Sequence, residues 1–199
     1  MLEIEMKFRV PDAAAYERRL RDDFALVFDA PRSEIDLFFR NEAAGFPTEG
    51  KALRIRRQDR RLVATFKGPR LDPKAKIREE IELPLGPALS PDDADEASVE
   101  QVRGDWIRFF ERLGFEPGPT VSKRRRTARL TFEGRAFEIV LDEVPPLGFF
   151  TEIETLAPPE ELEVARRTTF ALAERLGLAE PIPTSYLALL QNAASDEEL

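Results

Sequence analysis

Glu3 with Glu5, Glu80 with Glu82, and Glu152 with Glu154 form three carboxylate pairs at positions i and i+2. On an extended strand such residues point the same way and stand about 6–7 Å apart, a spacing that a hard cation bridges through oxygen ligands. Arg54 with Arg56, and Lys123 with Arg125, repeat that geometry with the opposite sign. Guanidinium forks and lysine point charges are what phosphate oxygens require. A ligand with several adjacent phosphates uses both halves at once, its oxygens meeting the cations while a divalent metal joins it to the carboxylates. A triphosphate fits that description. The reaction it calls for is a metal-polarised phosphorus and a positioned nucleophile, either water or a substrate hydroxyl.

Composition narrows the chemistry further. The 199 residues include neither cysteine nor histidine, which removes disulfides, thiolate nucleophiles, sulfur-based zinc sites and every histidine-activated triad. Carboxylates, lysine, arginine, tyrosine and metal-bound water remain. Ligation by oxygen alone selects Mg²⁺ or Mn²⁺ over zinc. A formal net charge of −8 argues against a general nucleic-acid-binding surface, although 30 Lys and Arg residues are present, so their placement matters more than their sum. The opening MLEIEMKFRV has neither a signal peptide's apolar stretch nor a membrane span, and the expectation is a cytoplasmic protein with a small-molecule triphosphate as partner, monomeric or homodimeric.

Residues that present such faces must sit on strands, and alternation places them. Leu2, Ile4, Met6 and Phe8 alternate with Glu3, Glu5, Lys7 and Arg9, giving one apolar and one charged face. Asp12 caps an amphipathic helix over 12–24, and a second strand spans 35–39. Residues 41–50 are turn-rich. Ala52 to Arg57 and Leu62 to Lys67 read as a hairpin closed by Gln58-Asp59-Arg60. A flexible basic stretch around Lys74 and Lys76 leads to a strand over 77–83, one face of which holds Arg78, Glu80 and Glu82. Ser90 as cap, with Pro91 at the first helical position, opens a helical region that Gly114 stops. Strands are expected over 121–132, 136–142 and 149–155, followed by a helix over 159–176 and a shorter one around Tyr186 to Leu190. Residues 191–199 read as an acidic, flexible tail behind a single domain over 1–190.

About eight strands with three or four helices suit one closed antiparallel barrel or two facing sheets. Antiparallel strands commonly turn a polar face to water, and for any one strand that plain alternative is equally good. Across all the strands, however, the faces repeat fully ionised sets of opposite sign. The inner set is Glu3, Glu5, Lys7, Arg54, Arg56, Lys67, Arg78, Glu80, Glu82, Lys123, Arg125, Asp142, Glu152 and Glu154. So many enclosed charges require water, ions or a ligand among them. Trp106, Phe109 and Phe110 read as helix packing against the strands.

Glu3-Ile-Glu5-Met-Lys7 resembles the ExExK signature of CYTH domains, the triphosphate tunnel metalloenzymes. Leu53-Arg54-Ile55-Arg56, Thr65-Phe66-Lys67-Gly68-Pro69, Arg78-Glu79-Glu80-Ile81-Glu82, Lys123-Arg124-Arg125, Leu141-Asp142-Glu143-Val144 and Gly148 to Glu154 resemble the family's later strands in order. The resemblance covers residues 1–190. It implies an α+β fold, an eight-stranded antiparallel β-barrel forming a tunnel with a polar, charged interior and helices packed outside. It also implies a metal group of Glu3, Glu5, Asp142, Glu152 and Glu154, and a triphosphate group of Lys7, Arg54, Arg56, Lys67, Arg78, Lys123 and Arg125. Glu5, Lys7 and Glu154 stand nearest the chemistry, with Glu80, Glu82 and Tyr186 as further tunnel positions. Phe38 stands where many members have tyrosine. Thr184-Ser185-Tyr186 resembles the SY segment of cyclase-like members and lacks the lysine that some triphosphatases carry there. The expected activity is metal-dependent hydrolysis of inorganic triphosphate, a nucleoside triphosphate or thiamine triphosphate. The alternatives are a class IV type adenylyl cyclase making cyclic AMP and pyrophosphate, and a polyphosphate-binding module without turnover.

Overall fold

Alternation becomes strand wherever it was read, and the strands run longer than their apolar patterns suggest. The computed structural model describes residues 1–72, 76–86 and 95–197. Its elements are β1 (Leu2–Val10), α1 (Ala13–Phe24), β2 (Arg32–Arg40), β3 (Ala52–Gln58), β4 (Arg61–Lys67), β5 (Lys76–Pro84), α2 (Glu96–Arg112), β6 (Glu116–Phe132), β7 (Arg135–Val144), β8 (Gly148–Ala157), α3 (Leu162–Arg175) and α4 (Tyr186–Glu197). The strands hydrogen-bond in the order β1-β5-β4-β3-β2-β6-β7-β8, a closed barrel. Pairing is antiparallel in β1–β8, β7–β8, β6–β7, β2–β3, β3–β4 and β4–β5. With its helices the fold is α+β, as the sequence implied.

Several boundaries differ from the sequence reading, each for a local reason. Lys76 is the first residue of β5 and is buried, where the pattern suggested a flexible lead-in. The helix expected from Ser90 opens at Glu96, because the Asp95 carboxylate accepts the Ser98 N–H at 2.7 Å and caps it. Ser90, Pro91 and Lys74 lie outside the described residues. β6 begins at Glu116, five residues early, and α4 continues past Leu190 to Glu197.

The chain divides into two compact units, Met1–Pro31 with Arg70–Arg78 and Lys123–Leu199, and Arg32–Pro69 with Glu79–Ser122. In the first unit Ile4, Met6 and Phe8 of β1, Phe137, Ile139 and Leu141 of β7 and Ile153 of β8 form the core with Leu20 of α1 and Leu172 of α3. Burying one such side chain stabilises by roughly 1.5–3 kcal/mol. Because alternate residues point oppositely, this packing fixes where Glu5, Lys7, Asp142 and Glu152 go. In the second unit Leu37, Phe39, Ile55 and Leu62 pack with Val99 and Phe110 of α2, and Trp106 lies against that cluster. Trp106 and Phe110 are therefore packing groups, whereas Phe109 is half exposed and makes its ring contacts with its two aromatic neighbours on the helix. No described helix is long and apolar enough to cross a membrane.

Candidate active site

Strand register assembles the charged residues of the first unit. Across β1–β8, Glu5 lies opposite Glu154 and Lys7 opposite Glu152; across β6–β7, Arg125 lies opposite Asp142. Arg125 Nε and Nη2 donate to the two Asp142 oxygens at 2.8 and 2.6 Å, Nη2 also donates to Glu152, and Nη1 lies 3.6 Å from Glu154 Oε1. Asp142 is fully buried. It also accepts the Tyr186 hydroxyl at 3.0 Å and lies 3.8 Å from Lys123 Nζ. One guanidinium thus spans three of the five acids expected to hold metal.

The lysines are organised from the C-terminal segment. Lys7 Nζ donates to the Thr184 carbonyl, and the Ile182 N–H donates to the Lys7 carbonyl at 2.7 Å. Lys7 and Lys123 stand over the Tyr186 ring, 4.1 and 5.4 Å from its centre, while Phe150 meets that ring edge-on. Lys76 donates to Glu5 Oε1. The sequence reading did not assign Lys76 to the site, although its parity with Arg78 on the same strand was available as a signal.

Electrostatics within this unit show two opposed imbalances. Burial pushes the Glu154 carboxyl well above the usual range; Arg125 opposes the rise, and Glu152, Glu3 and Glu5 add to it. Burial also works against the Glu152 charge, but Arg125, Lys76 and Lys123 together outweigh it and hold that carboxyl well below the usual range. Burial and the neighbouring Lys76 bring Lys7 down to about 7, against the pull of Glu152 and Glu5. Lys76 stays above the usual lysine value because Glu5 and Glu152 overcome its burial, while Arg78 works against it. Arg78 is buried and its Nε has no hydrogen-bond partner among the described residues. The set thus holds crowded acid at Glu154 and crowded cation at Lys7 and Lys76.

Among the described residues no three acidic side chains converge into a ready metal-holding group. The geometry gives the reason: Glu5 is turned onto Lys76, and Asp142, Glu152 and Glu154 are drawn to Arg125. The donor chemistry nonetheless fits a hard divalent ion. All the acids are oxygen donors, and an added cation relieves the crowding that raises Glu154.

The second unit holds its own charged set. Arg56 grips Asp36 with two bonds, Nε at 2.7 Å and Nη2 at 2.9 Å, and Arg54 Nη1 adds a third at 3.1 Å. Glu34 lies 3.2 Å from both Arg56 Nη1 and Arg32 Nε. Lys67 pairs with Glu80, its cross-strand neighbour, and Arg54 Nη2 lies 3.8 Å from both Glu80 and Glu82. Glu82, read as an inner residue, has a side chain 51% exposed and accepts from Thr65 at 3.1 Å, two residues before the end of β5. Glu34 and Asp36 were not assigned to the site from sequence, because their role depends on cross-strand partners.

A closed antiparallel barrel whose strands carry buried acids and bases places the protein among α+β barrels with a charged interior. Residues 1–186 match the CYTH domain model, and the chain belongs to that family. CYTH proteins act on triphosphates and are generally dependent on divalent metal. A Methanocaldococcus jannaschii protein named "Putative adenylate cyclase" is 29% identical over 192 residues, covering 95% of this chain and 98% of the relative. A solved Pyrococcus horikoshii protein is 28% identical, with a TM-score of 0.74 over 96% of this chain and 99% of its own. A Hippeastrum protein with a dominant triphosphatase activity shares the fold at 21% identity, with a TM-score of 0.59 over 96% and 95% of the two chains.

Proposed function

We propose that this protein is a divalent-metal-dependent triphosphatase, cleaving a phosphoanhydride of inorganic triphosphate, a nucleoside triphosphate or thiamine triphosphate with water. The supporting observation is the charge imbalance of the first unit. Lys7, Lys76 and Arg78 are buried, Lys76 works against Lys7 and Arg78 against Lys76, and Arg78 Nε has no hydrogen-bond partner among the described residues, while Glu154 is crowded by Glu152, Glu3 and Glu5. A metal-bound polyanion relieves both conditions; a neutral ligand relieves neither.

In this reading Glu3, Glu5, Asp142, Glu152 and Glu154 hold Mg²⁺ or Mn²⁺, which when bound supplies charge neutralisation and polarisation at phosphorus. Lys7, Arg78 and Lys123 bind non-bridging phosphate oxygens as buried cations. Arg125 orients Asp142, Glu152 and Glu154, and the Tyr186 phenol, held neutral by burial beside Glu152 and Asp142, donates to Asp142 and fixes its direction. Arg54, Arg56 and Lys67 of the second unit are the further cations that the CYTH resemblance assigns to phosphate. Adenylyl cyclase activity is the second reading, favoured by the name of the Methanocaldococcus jannaschii relative.

Product analysis with ATP and, separately, inorganic triphosphate, each with Mg²⁺ and with Mn²⁺, tests the proposal. The expected result is phosphate release from triphosphate with no cyclic AMP, abolished by Glu5→Gln. Cyclic AMP with stoichiometric pyrophosphate overturns it in favour of the cyclase, and full activity of Glu5→Gln at saturating Mg²⁺ overturns the metal assignment.

A further inference from the structure

Lys76 occupies a place that neither the ExExK pattern nor the paired carboxylates account for. Its ammonium lies on Glu5, it is buried, and it shares its strand face with Arg78 two residues on. It also stands close to Lys7, with which it shares the attraction of Glu5 and Glu152. Two buried ammonium groups held side by side are unfavourable unless the nearby acids require both. Lys76 has such an acid in Glu5, its salt-bridge partner, while Arg125 serves Asp142, Glu152 and Glu154.

We propose that Lys76 is an intrinsic counter-cation of Glu5, which a divalent ion must displace to reach that carboxylate, so that the metal site is self-blocked until metal arrives. This rests on the proposed metal role of Glu5. The physical basis is competition: Glu5 satisfies one close cation, and an ammonium already desolvated beside it sets the affinity that the incoming ion must exceed. Once displaced, the Lys76 ammonium remains beside Lys7 and Arg78 on the strand face proposed to receive phosphate. A positioning residue of this kind holds resting metal affinity low without being a ligand itself.

The test is Mn²⁺ binding to purified protein without triphosphate, followed by the paramagnetic signal of free Mn²⁺. Lys76→Gln, which keeps a hydrogen-bond donor and removes the charge, is expected to bind Mn²⁺ at least about tenfold more tightly than wild type, and Lys76→Arg is expected to match wild type. Equal affinities for wild type and Lys76→Gln overturn the proposal while leaving the metal reading intact. No saturable Mn²⁺ binding to either, or undiminished binding to Glu5→Gln, overturns the metal role of Glu5 and the proposal with it. A second measurement uses wild type alone and decides the matter if Lys76→Gln does not fold. Amine-reactive labelling of Lys76, read by peptide mass spectrometry, is expected to accelerate several-fold when Mn²⁺ is added, and an unchanged rate overturns the proposal.

Discussion

Arg78 and Arg125 are both buried arginines of the first unit, yet their surroundings predict opposite consequences of removal. Arg125 satisfies Asp142, Glu152 and Glu154. Arg125→Ala therefore leaves buried carboxylates without their counter-charge, and the expected loss is about 3–5 kcal/mol in denaturant unfolding. Arg78 has no acidic partner among the described residues and works against Lys76. Arg78→Ala is expected to unfold at the wild-type denaturant midpoint or slightly above it, while KM for triphosphate rises about 10-fold or more. A large stability loss in Arg78→Ala together with an unchanged KM would show that its role is structural. The residue types of both arginines were legible in the sequence. Which of them is already neutralised was not, because that depends on β6–β7 register and on how far a guanidinium reaches across strands.

Helix α1 covers the apolar face of β1 and β8 through Tyr16 and Leu20, and one hydrogen bond there reports on the contact. The Thr151 hydroxyl donates to the Val140 carbonyl at 2.8 Å, so at the 3.0 Å contact the Tyr16 hydroxyl is the donor to Thr151. Burial pushes the Tyr16 phenol up to about 12, against weaker opposition from Arg19. The folded pKa exceeds the unfolded one, so the folded state holds its proton more tightly. Its contribution is complete below about pH 10 and is lost as pH rises toward 12. Wild type is expected to be more stable than Tyr16→Phe by about 1 kcal/mol at pH 8, with the gap closing between pH 10 and 12 in urea unfolding. A gap independent of pH across that range rules the argument out. Element positions were readable because period-two alternation and the Asp12 cap are local signals. Lys76 was misread because a strand beginning on a lysine has no apolar residue to announce it.

For the whole molecule, any ligand that binds only the folded state raises its melting temperature. A non-hydrolysable imidotriphosphate with Mg²⁺ is expected to raise it by several degrees, and by more than the sum of the two added alone. An additive response would mean that metal and polyanion do not share a site. The closed barrel could be anticipated from strand count and charged faces once the CYTH resemblance was drawn; from the residues alone, two facing sheets remained equally open. The division into two compact units had no sequence counterpart. Two of its boundaries cut through β5 and β6, where no Gly-Pro cluster or shift of composition marks them, and a third follows Gly68-Pro69, which reads from sequence only as the end of a hairpin.

The bond from Lys7 to the carbonyl of Thr184 joins positions 177 residues apart, and the adjacent one from Ile182 to the Lys7 backbone joins nearly the same points. During synthesis the motif around Lys7 is made 177 residues before the carbonyl that anchors its lysine. A nascent chain therefore displays Lys7 long before it can fix it, and the lysine is anchored in one late step rather than gradually with length. Any anion in the surrounding fluid meets either a chain with a loose lysine or one in which it is already anchored.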